Sequence, residues 1–144
     1  MMATSRTSGT PGSTVLLLDT SALIDLPRVH VPEEPISLSV ITYAELSFGI
    51  EQAATAEERR QRTARLAWLR DTLKTEWLPF DRAAADGYAR LAALVAPRRP
   101  GHARSKDIML AGHALSIGAK LVTFNARDFE LIAGEVEIVV PELR

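Results

Sequence analysis

The sequence Val15-Leu16-Leu17-Leu18-Asp19 is a short, wholly apolar run that ends in an acid. A strand that is apolar on both faces is typical of the centre of a parallel sheet with helices on both sides. The run is far shorter than the roughly 20 residues of a membrane span, and too short for a signal peptide. We therefore predict a central strand in a protein that is soluble and cytoplasmic.

Strands and helices alternate along the rest of the chain. Further strands are predicted over residues 36–39, 77–80, 120–123 and 136–140. Helices are predicted over residues 21–26, 42–54, 56–74, 105–118 and 126–132, and from a cap at Asp81 to Val95, with a break at 97–104. This alternation predicts an α/β fold with right-handed crossovers and a mostly parallel sheet covered by helices.

Composition limits the domain organisation and the chemistry. Residues 1–13 are rich in Ser, Thr, Gly and Pro, which indicates a flexible leader or an over-long translation start. Residues 14–144 then form one domain, since 144 residues with 47% apolar content suit a single core. The sequence has no cysteine, which excludes disulfides and thiolate metal sites, and its net charge of −1 requires local basic patches for any nucleic-acid contact.

Acidic residues stand near four predicted helix starts: Asp19, Glu45, Asp107 and Asp128. Ligand sites of parallel sheets lie beyond the carboxyl ends of the strands, so we expect these acids to converge there. Two carboxylates about 4 Å apart repel by roughly 4 kcal/mol at an effective dielectric near 20, and a divalent cation removes that repulsion. Oxygen ligands without cysteine favour Mg²⁺, with Mn²⁺ as a substitute, over zinc.

Each acid also has an ordinary structural explanation. Thr42 with Glu45, and Asn125 with Asp128, have the spacing of a helix capping box. Asp107 would interact favourably with a helix dipole. Capping and metal binding therefore remain alternatives for each acid taken singly, and only their convergence favours a site.

Four motifs carry a resemblance to a known family. They are Leu18-Asp-Thr-Ser-Ala-Leu-Ile24, Thr42-Tyr-Ala-Glu-Leu46, Ser105-Lys-Asp-Ile108 and Val122-Thr-Phe-Asn-Ala-Arg-Asp-Phe129. The chain resembles PIN-domain nucleases, whose motifs occur in this order, over residues 15–141. The first and last motifs are similar to those of VapC-type toxins of toxin–antitoxin systems.

The resemblance implies a PIN-like three-layer α/β/α sandwich and a set of site residues. Asp19, Glu45 and Asp107 would be the metal-binding and catalytic acids. Many family members carry an acid where this chain has Asn125, so either the Asn125 position or the carboxylate of Asp128 completes the site. As catalytic and metal residues we therefore predict Asp19, Glu45, Asp107 and Asp128.

Supporting and substrate-contacting residues follow from position. The hydroxyls of Thr20, Ser21 and Thr123 are predicted to orient carboxylates or contact phosphate, unless they are ordinary caps and strand ends. A basic segment that leads into Asp107 is predicted to contact RNA, unless it is a solvated loop: Arg98, Arg99, His102, Arg104 and Lys106. The arginines of 59–70 indicate a solvated helix face or an antitoxin site. His30 and His113 are predicted to be structural.

The implied function is that of a Mg²⁺-dependent endoribonuclease toxin. By similarity to the family, water would attack the RNA phosphodiester and leave a 3′-hydroxyl and a 5′-phosphate, without a covalent intermediate. The resemblance also implies a homodimer, no membrane partner, and a cognate VapB-type antitoxin whose tail occupies the acidic cleft. An antitoxin arginine would suit that cleft, because its fork matches carboxylate geometry.

Two other function classes compete with the nuclease. An aspartyl-phosphate phosphatase or receiver domain would use Asp19 as nucleophile, with Thr123 near the phosphate. Against it, Ser21 stands where a phosphatase carries its second Asp, and Glu45 has no role. A non-catalytic interaction module would keep the fold for binding alone, and the retention of three acids argues against that alternative.

Overall fold

A five-stranded parallel sheet forms the centre of the computed structural model, which describes residues 15–30 and 33–143. The predicted leader, residues 1–13, lies outside the described residues. The strands in chain order are β1 (Leu16–Leu18), β2 (Val29–His30), β3 (Ile36–Ser39), β4 (Trp77–Leu78), β5 (Lys120–Val122), β6 (Ile138–Val139) and β7 (Glu142–Leu143).

The sheet order is β4-β3-β1-β5-β6, and each neighbouring pair is parallel. The apolar run therefore occupies the central strand, as predicted, and β4 is an edge strand. Strands β2 and β7 form a separate antiparallel pair, with Val29 opposite Leu143. Sequence reasoning missed this pair, because strands of two residues are too short to show an alternating pattern.

The helices fill the connections between the strands. They are α1 (Thr20–Ile24), α2 (Val40–Glu51), α3 (Ala56–Leu73), α4 (Arg82–Val95), α5 (Pro100–Ala103) and α6 (Lys106–Ser116), with 3₁₀ turns at Leu26–Arg28 and Ala126–Ile132. The predicted break at 97–104 thus contains one short helix. In the described part of the chain, none of the helices combines the length and the apolarity needed to cross a bilayer.

Side chains of β1 alternate between two cores, one on each face of the sheet. Leu17 packs with buried residues of α4 and α6, such as Leu91 and Ile108. Leu16 and Leu18 pack with residues of α1, α2 and α3. All three leucines are fully buried, as a strand between two helical layers requires. The three-layer α/β/α fold is confirmed.

Two predicted capping boxes are wrong. Ser39 is the cap of α2, where its Oγ accepts a hydrogen bond from the backbone N–H of Ile41 at 3.0 Å. The helix therefore begins two residues before Thr42, whose side chain is buried inside it. The Asn125 side chain makes no capping hydrogen bond to the turn that contains Asp128. Capping therefore does not account for either Glu45 or Asp128.

Helices α4 and α6 touch backbone to backbone at two glycines. A Cβ atom added at Gly87 would overlap the carbonyl oxygen of Gly112, and one added at Gly112 would overlap the backbone nitrogen of Tyr88. This close crossing places the start of α6, and with it Asp107, against the core.

We expect Gly112→Ala to lower the free energy of unfolding by about 1–3 kcal/mol, because the backbones must separate to admit a methyl group. Gly49→Ala is the matched control, since nothing lies within 4 Å of its added Cβ and alanine favours a helix by up to about 1 kcal/mol. Urea unfolding measures both. Equal stability of the two variants would contradict the close crossing.

His113 lies in the core, in agreement with its predicted structural role. It is 2% exposed, its Nδ1 is 2.8 Å from Ser39 Oγ, and its ring meets Phe80 edge-on. Burial lowers the pKa of His113, and the carboxylate of Asp81 opposes that effect in part. The folded protein therefore binds a proton at His113 less readily than the unfolded chain does.

Stability should consequently fall as the pH drops below the ordinary histidine pKa of about 6.5, because the unfolded chain then binds a proton that folded His113 does not. Urea unfolding between pH 8 and pH 5.5 measures this loss. His113→Gln should flatten the dependence, whereas His30→Gln, at an exposed position, should not. The same slope in wild type and His113→Gln would rule out the assignment.

Candidate functional site

Asp19 leaves the sheet at the carboxyl end of β1 and caps α1. Its Oδ1 accepts hydrogen bonds from the backbone N–H of Ala22 at 3.1 Å and from Ser21 Oγ at 2.6 Å. The residue is only 6% exposed. No described residue donates a hydrogen bond to its second oxygen, Oδ2. Asp19 is thus fixed by one carboxylate oxygen and retains the other for a ligand.

Glu45 is held by two neighbours on different elements. Thr20 Oγ1 donates to Glu45 Oε1 at 3.0 Å, and Lys106 Nζ lies 3.4 Å from Glu45 Oε2. Thr20 therefore orients a carboxylate, as one of its two predicted roles requires. The ion pair with Lys106 was missed, because its two residues lie far apart in the sequence and only the fold brings them together.

Asp107 is the acid most affected by its surroundings. Its pKa is raised, first by burial and next by the charge of Asp128, and the charges of Glu45 and Asp19 act in the same direction. His102 opposes these effects in part. Asp128, Glu45 and Asp19 therefore lie within electrostatic range of Asp107. The contacts of Glu45 agree with this, because it binds Thr20, the neighbour of Asp19, and Lys106, the neighbour of Asp107.

The fourth position is occupied by two candidates with different surroundings. The Asn125 side chain is exposed, and its backbone N–H donates to Thr123 Oγ1 at 2.9 Å. Asp128 is half-buried, and its charge acts on Asp107. Its backbone oxygen also lies 2.6 Å from His102 Nε2. Of the two candidates, Asp128 thus brings a charge to the acidic cluster.

Thr123 does not have the predicted role of orienting a carboxylate. It is fully buried at the end of β5, and its hydroxyl accepts the hydrogen bond from Asn125 N–H. Ser21 makes the corresponding link across the sheet edge, because its Oγ also accepts from the backbone N–H of Phe124 at 3.1 Å. Thr123 shapes the turn, while Ser21 connects that turn to Asp19.

The four acids do not stand in ready-made coordination positions. Within residues 15–30 and 33–143, no three acidic or histidine side chains are close enough together to share one metal ion. The potential donors around the cluster are nevertheless carboxylate and hydroxyl oxygens, which suit a hard cation. An ion could bind there only if some carboxylates turn toward it.

The predicted basic segment divides into two parts. His102 and Lys106 contact acidic residues of the cluster, as described above. Arg98, Arg99 and Arg104 are exposed, and none of them forms an ion pair with a described residue. The segment therefore flanks the acids on the α6 side and leaves three guanidinium groups in solvent.

A groove beside Glu45 was missed by sequence reasoning. It has a volume of about 190 Å³ and lies between α1, α2 and α3. Its lining residues are Thr20, Ile24, Glu45, Leu46, Gly49, Arg62 and Arg65. Thr20 and Glu45 belong to the acidic cluster, so the groove opens directly from it.

Comparison with known proteins places this arrangement in a family. The family model described as PIN domain matches residues 16–135. Ribonuclease VapC5 of Mycobacterium tuberculosis is 32% identical over 139 residues, which cover 92% of this chain and 97% of that protein.

Solved structures of VapBC proteins share the fold of this chain. A chain of the VapBC-5 crystal structure from Mycobacterium tuberculosis has a TM-score of 0.67 at 32% identity, covering 88% of this chain and 98% of that one. A chain of DNA-bound VapBC from Salmonella typhimurium has a TM-score of 0.64 at 26% identity, covering 87% and 96%. VapBC2 from Rickettsia felis, at 20% identity, shares the fold with a TM-score of 0.70, covering 90% and 100%. With a family model that matches most of the chain and a relative of nearly its full length, this protein belongs to the PIN domain family.

Proposed function

We propose that this protein is a metal-dependent endoribonuclease, the toxin of a toxin–antitoxin pair. The observation behind the proposal is that Glu45 joins the segments of two other acids: Thr20, next to Asp19, donates to it, and Lys106, next to Asp107, pairs with it. The effect of the Asp128 charge on Asp107 supports the same grouping. A relative of nearly the same length is named a ribonuclease, which supports RNA as the substrate.

The residues present fit Mg²⁺, with Mn²⁺ as a substitute. Asp107 is partly buried, and no described residue donates a hydrogen bond to its carboxylate. Asp19 Oδ2 is likewise without a donor among the described residues. Such desolvated, unpaired carboxylate oxygens are stabilised by a divalent cation. Asp19, Glu45, Asp107 and Asp128 would hold the ion after turning toward it.

The residues around the acids orient the carboxylates and supply no covalent nucleophile. A bound Mg²⁺ supplies positive charge that polarises the scissile phosphate and favours ionisation of the attacking water. Ser21 and Thr20 hold the Asp19 and Glu45 carboxylates in place. Lys106 neutralises Glu45, and its ammonium can turn to the RNA phosphate when a cation takes over that task. Water attack then leaves a 3′-hydroxyl and a 5′-phosphate.

The aspartyl-phosphate alternative lacks the second Asp that a phosphatase carries. Ser21 stands at that position, and its Oγ donates to Asp19 Oδ1 at 2.6 Å. The family match also favours a nuclease. We therefore keep the nuclease as the proposed function.

The partner we propose is a VapB-type antitoxin. The crystal structures of VapBC-5 and of DNA-bound VapBC from Salmonella typhimurium are described as toxin–antitoxin or VapBC assemblies, and both contain a chain that resembles this one above 25% identity. An antitoxin arginine entering the acidic cluster would neutralise it in place of the metal. A homodimer and a cytoplasmic location are further parts of this proposal.

We expect the protein to cut single-stranded RNA in Mg²⁺ and to stop when EDTA removes the metal. Asp19→Asn should lower the rate by more than about 100-fold, the upper end for residues that only support a metal ligand. Asp86→Asn, an exposed acid on α4, is the matched control and should cut normally. Unchanged cutting in EDTA or by Asp19→Asn would contradict the proposal.

The raised pKa of Asp107 should fall when Mg²⁺ is added, because the cation favours the ionised carboxylate. Asp128→Asn should also lower it, since the Asp128 charge is the largest of the charge effects that raise it. Carboxyl ¹³C titration by NMR measures both shifts, with Asp86→Asn as the control. A titration of Asp107 that neither Mg²⁺ nor Asp128→Asn alters would show that the acids are not coupled.

A further inference from the structure

The groove beside the acids carries positive charge at the end that α3 contributes. Thr20 and Glu45 line one part of it, and Arg62 and Arg65 line another. A single narrow groove therefore joins the acidic cluster to two guanidinium groups.

Two arginines of α3 are occupied in holding α2. Arg62 donates to the carbonyl oxygen of Gly49 at 2.5 Å and also reaches Glu58 at 3.4 Å. Arg59 donates to the carbonyl oxygen of Ile50 at 3.5 Å. These carbonyls belong to the last turn of α2, and the Ile50 carbonyl also accepts from the backbone N–H of Ala53 at 3.2 Å. Arg59 and Arg62 thus have a structural role.

Arg65 differs from both. It lies one turn further along α3, is half-buried, and lines the groove, but it forms no hydrogen bond or ion pair with any described residue. The planar fork of its guanidinium suits a carboxylate or a phosphate. Glu45 lines the same groove but is already held by Thr20 and Lys106. The unpaired guanidinium of Arg65 is therefore suited to an anion that comes from outside the chain.

We propose that Arg65 binds a backbone phosphate of the RNA substrate, adjacent to the phosphate that lies at the acids. This inference rests on the proposed ribonuclease function. The chain's net charge of −1 provides no general attraction for RNA, so local cations beside the acids must hold the strand. Lys106 stands on the α6 side, and Arg65 stands on the α3 side.

The contact would hold the strand without reading its sequence. Hydrogen bonds to phosphate fix the position and register of a nucleic acid, whereas base contacts select the sequence. Arg65 therefore sets how the strand crosses the acids and leaves the choice of cleavage site to other residues.

The test uses full-length Asp107→Asn protein, which should bind RNA without cutting it, and a fluorescently labelled single-stranded RNA of mixed sequence. Anisotropy in Mg²⁺ buffer at several NaCl concentrations gives the affinity and its salt dependence. Adding Arg65→Gln should weaken binding roughly tenfold, as expected when one charge-assisted hydrogen bond is lost. It should also reduce the slope of log affinity against log salt by about 0.7, the value for one phosphate contact on a single strand.

Arg60→Gln is the matched control, because Arg60 lies on the same helix, outside the groove, and pairs with Glu57. It should leave affinity and slope unchanged. Arg65→Lys, which keeps the charge, should restore most of the slope. If Arg65→Gln does not fold, Arg65→Met takes its place, because it also removes the charge.

Three results would overturn the inference. If the parent binds RNA and Arg65→Gln behaves like Arg60→Gln, the phosphate contact is absent while the ribonuclease proposal stands. If Arg65→Gln keeps RNA affinity but loses binding to a purified antitoxin, the groove holds a protein segment instead. If the parent binds no RNA and the wild type cuts none, the proposed function itself fails.

Discussion

Like-charge repulsion among four carboxylates dominates the region where the strands of the parallel sheet end. Asp19, Glu45, Asp107 and Asp128 come from separate segments of the chain, and the charges of the other three act on the partly buried Asp107. In the described residues, Lys106 is the one cation paired with a member of the cluster, and it neutralises Glu45 alone. The remaining charge makes this edge a place that attracts cations.

The fold tolerates this repulsion because core packing and helix caps stabilise the frame around the acids. The two cores bury β1 on both faces, and the close contact of α4 with α6 fixes the start of α6. Side-chain caps at Asp19, Ser39, Asp81 and Ser105 hold the starts of four helices. A rigid frame of this kind can keep like charges together, as binding sites require.

Short sequence patterns correctly predict those strands and helix caps that depend only on residues close together in the chain. The apolar run at β1, the cap at Asp81 and the cap at Ser105 all follow from short-range rules. The capping box at Thr42 was wrong because Ser39, at a strand end, competes for the same helix start. The Lys106–Glu45 ion pair and the position of Arg65 in a groove depend on how helices pack, which no local pattern encodes.

The proposed cation site can be tested by a direct measurement of metal binding. Isothermal titration calorimetry of the wild type with Mn²⁺ should show saturable binding, and Asp107→Asn should remove most of it, while the protein stays folded by circular dichroism. Wild-type protein that binds no Mn²⁺ or Mg²⁺, or an Asp107→Asn variant that binds as the wild type does, would contradict a cation site at the converging acids.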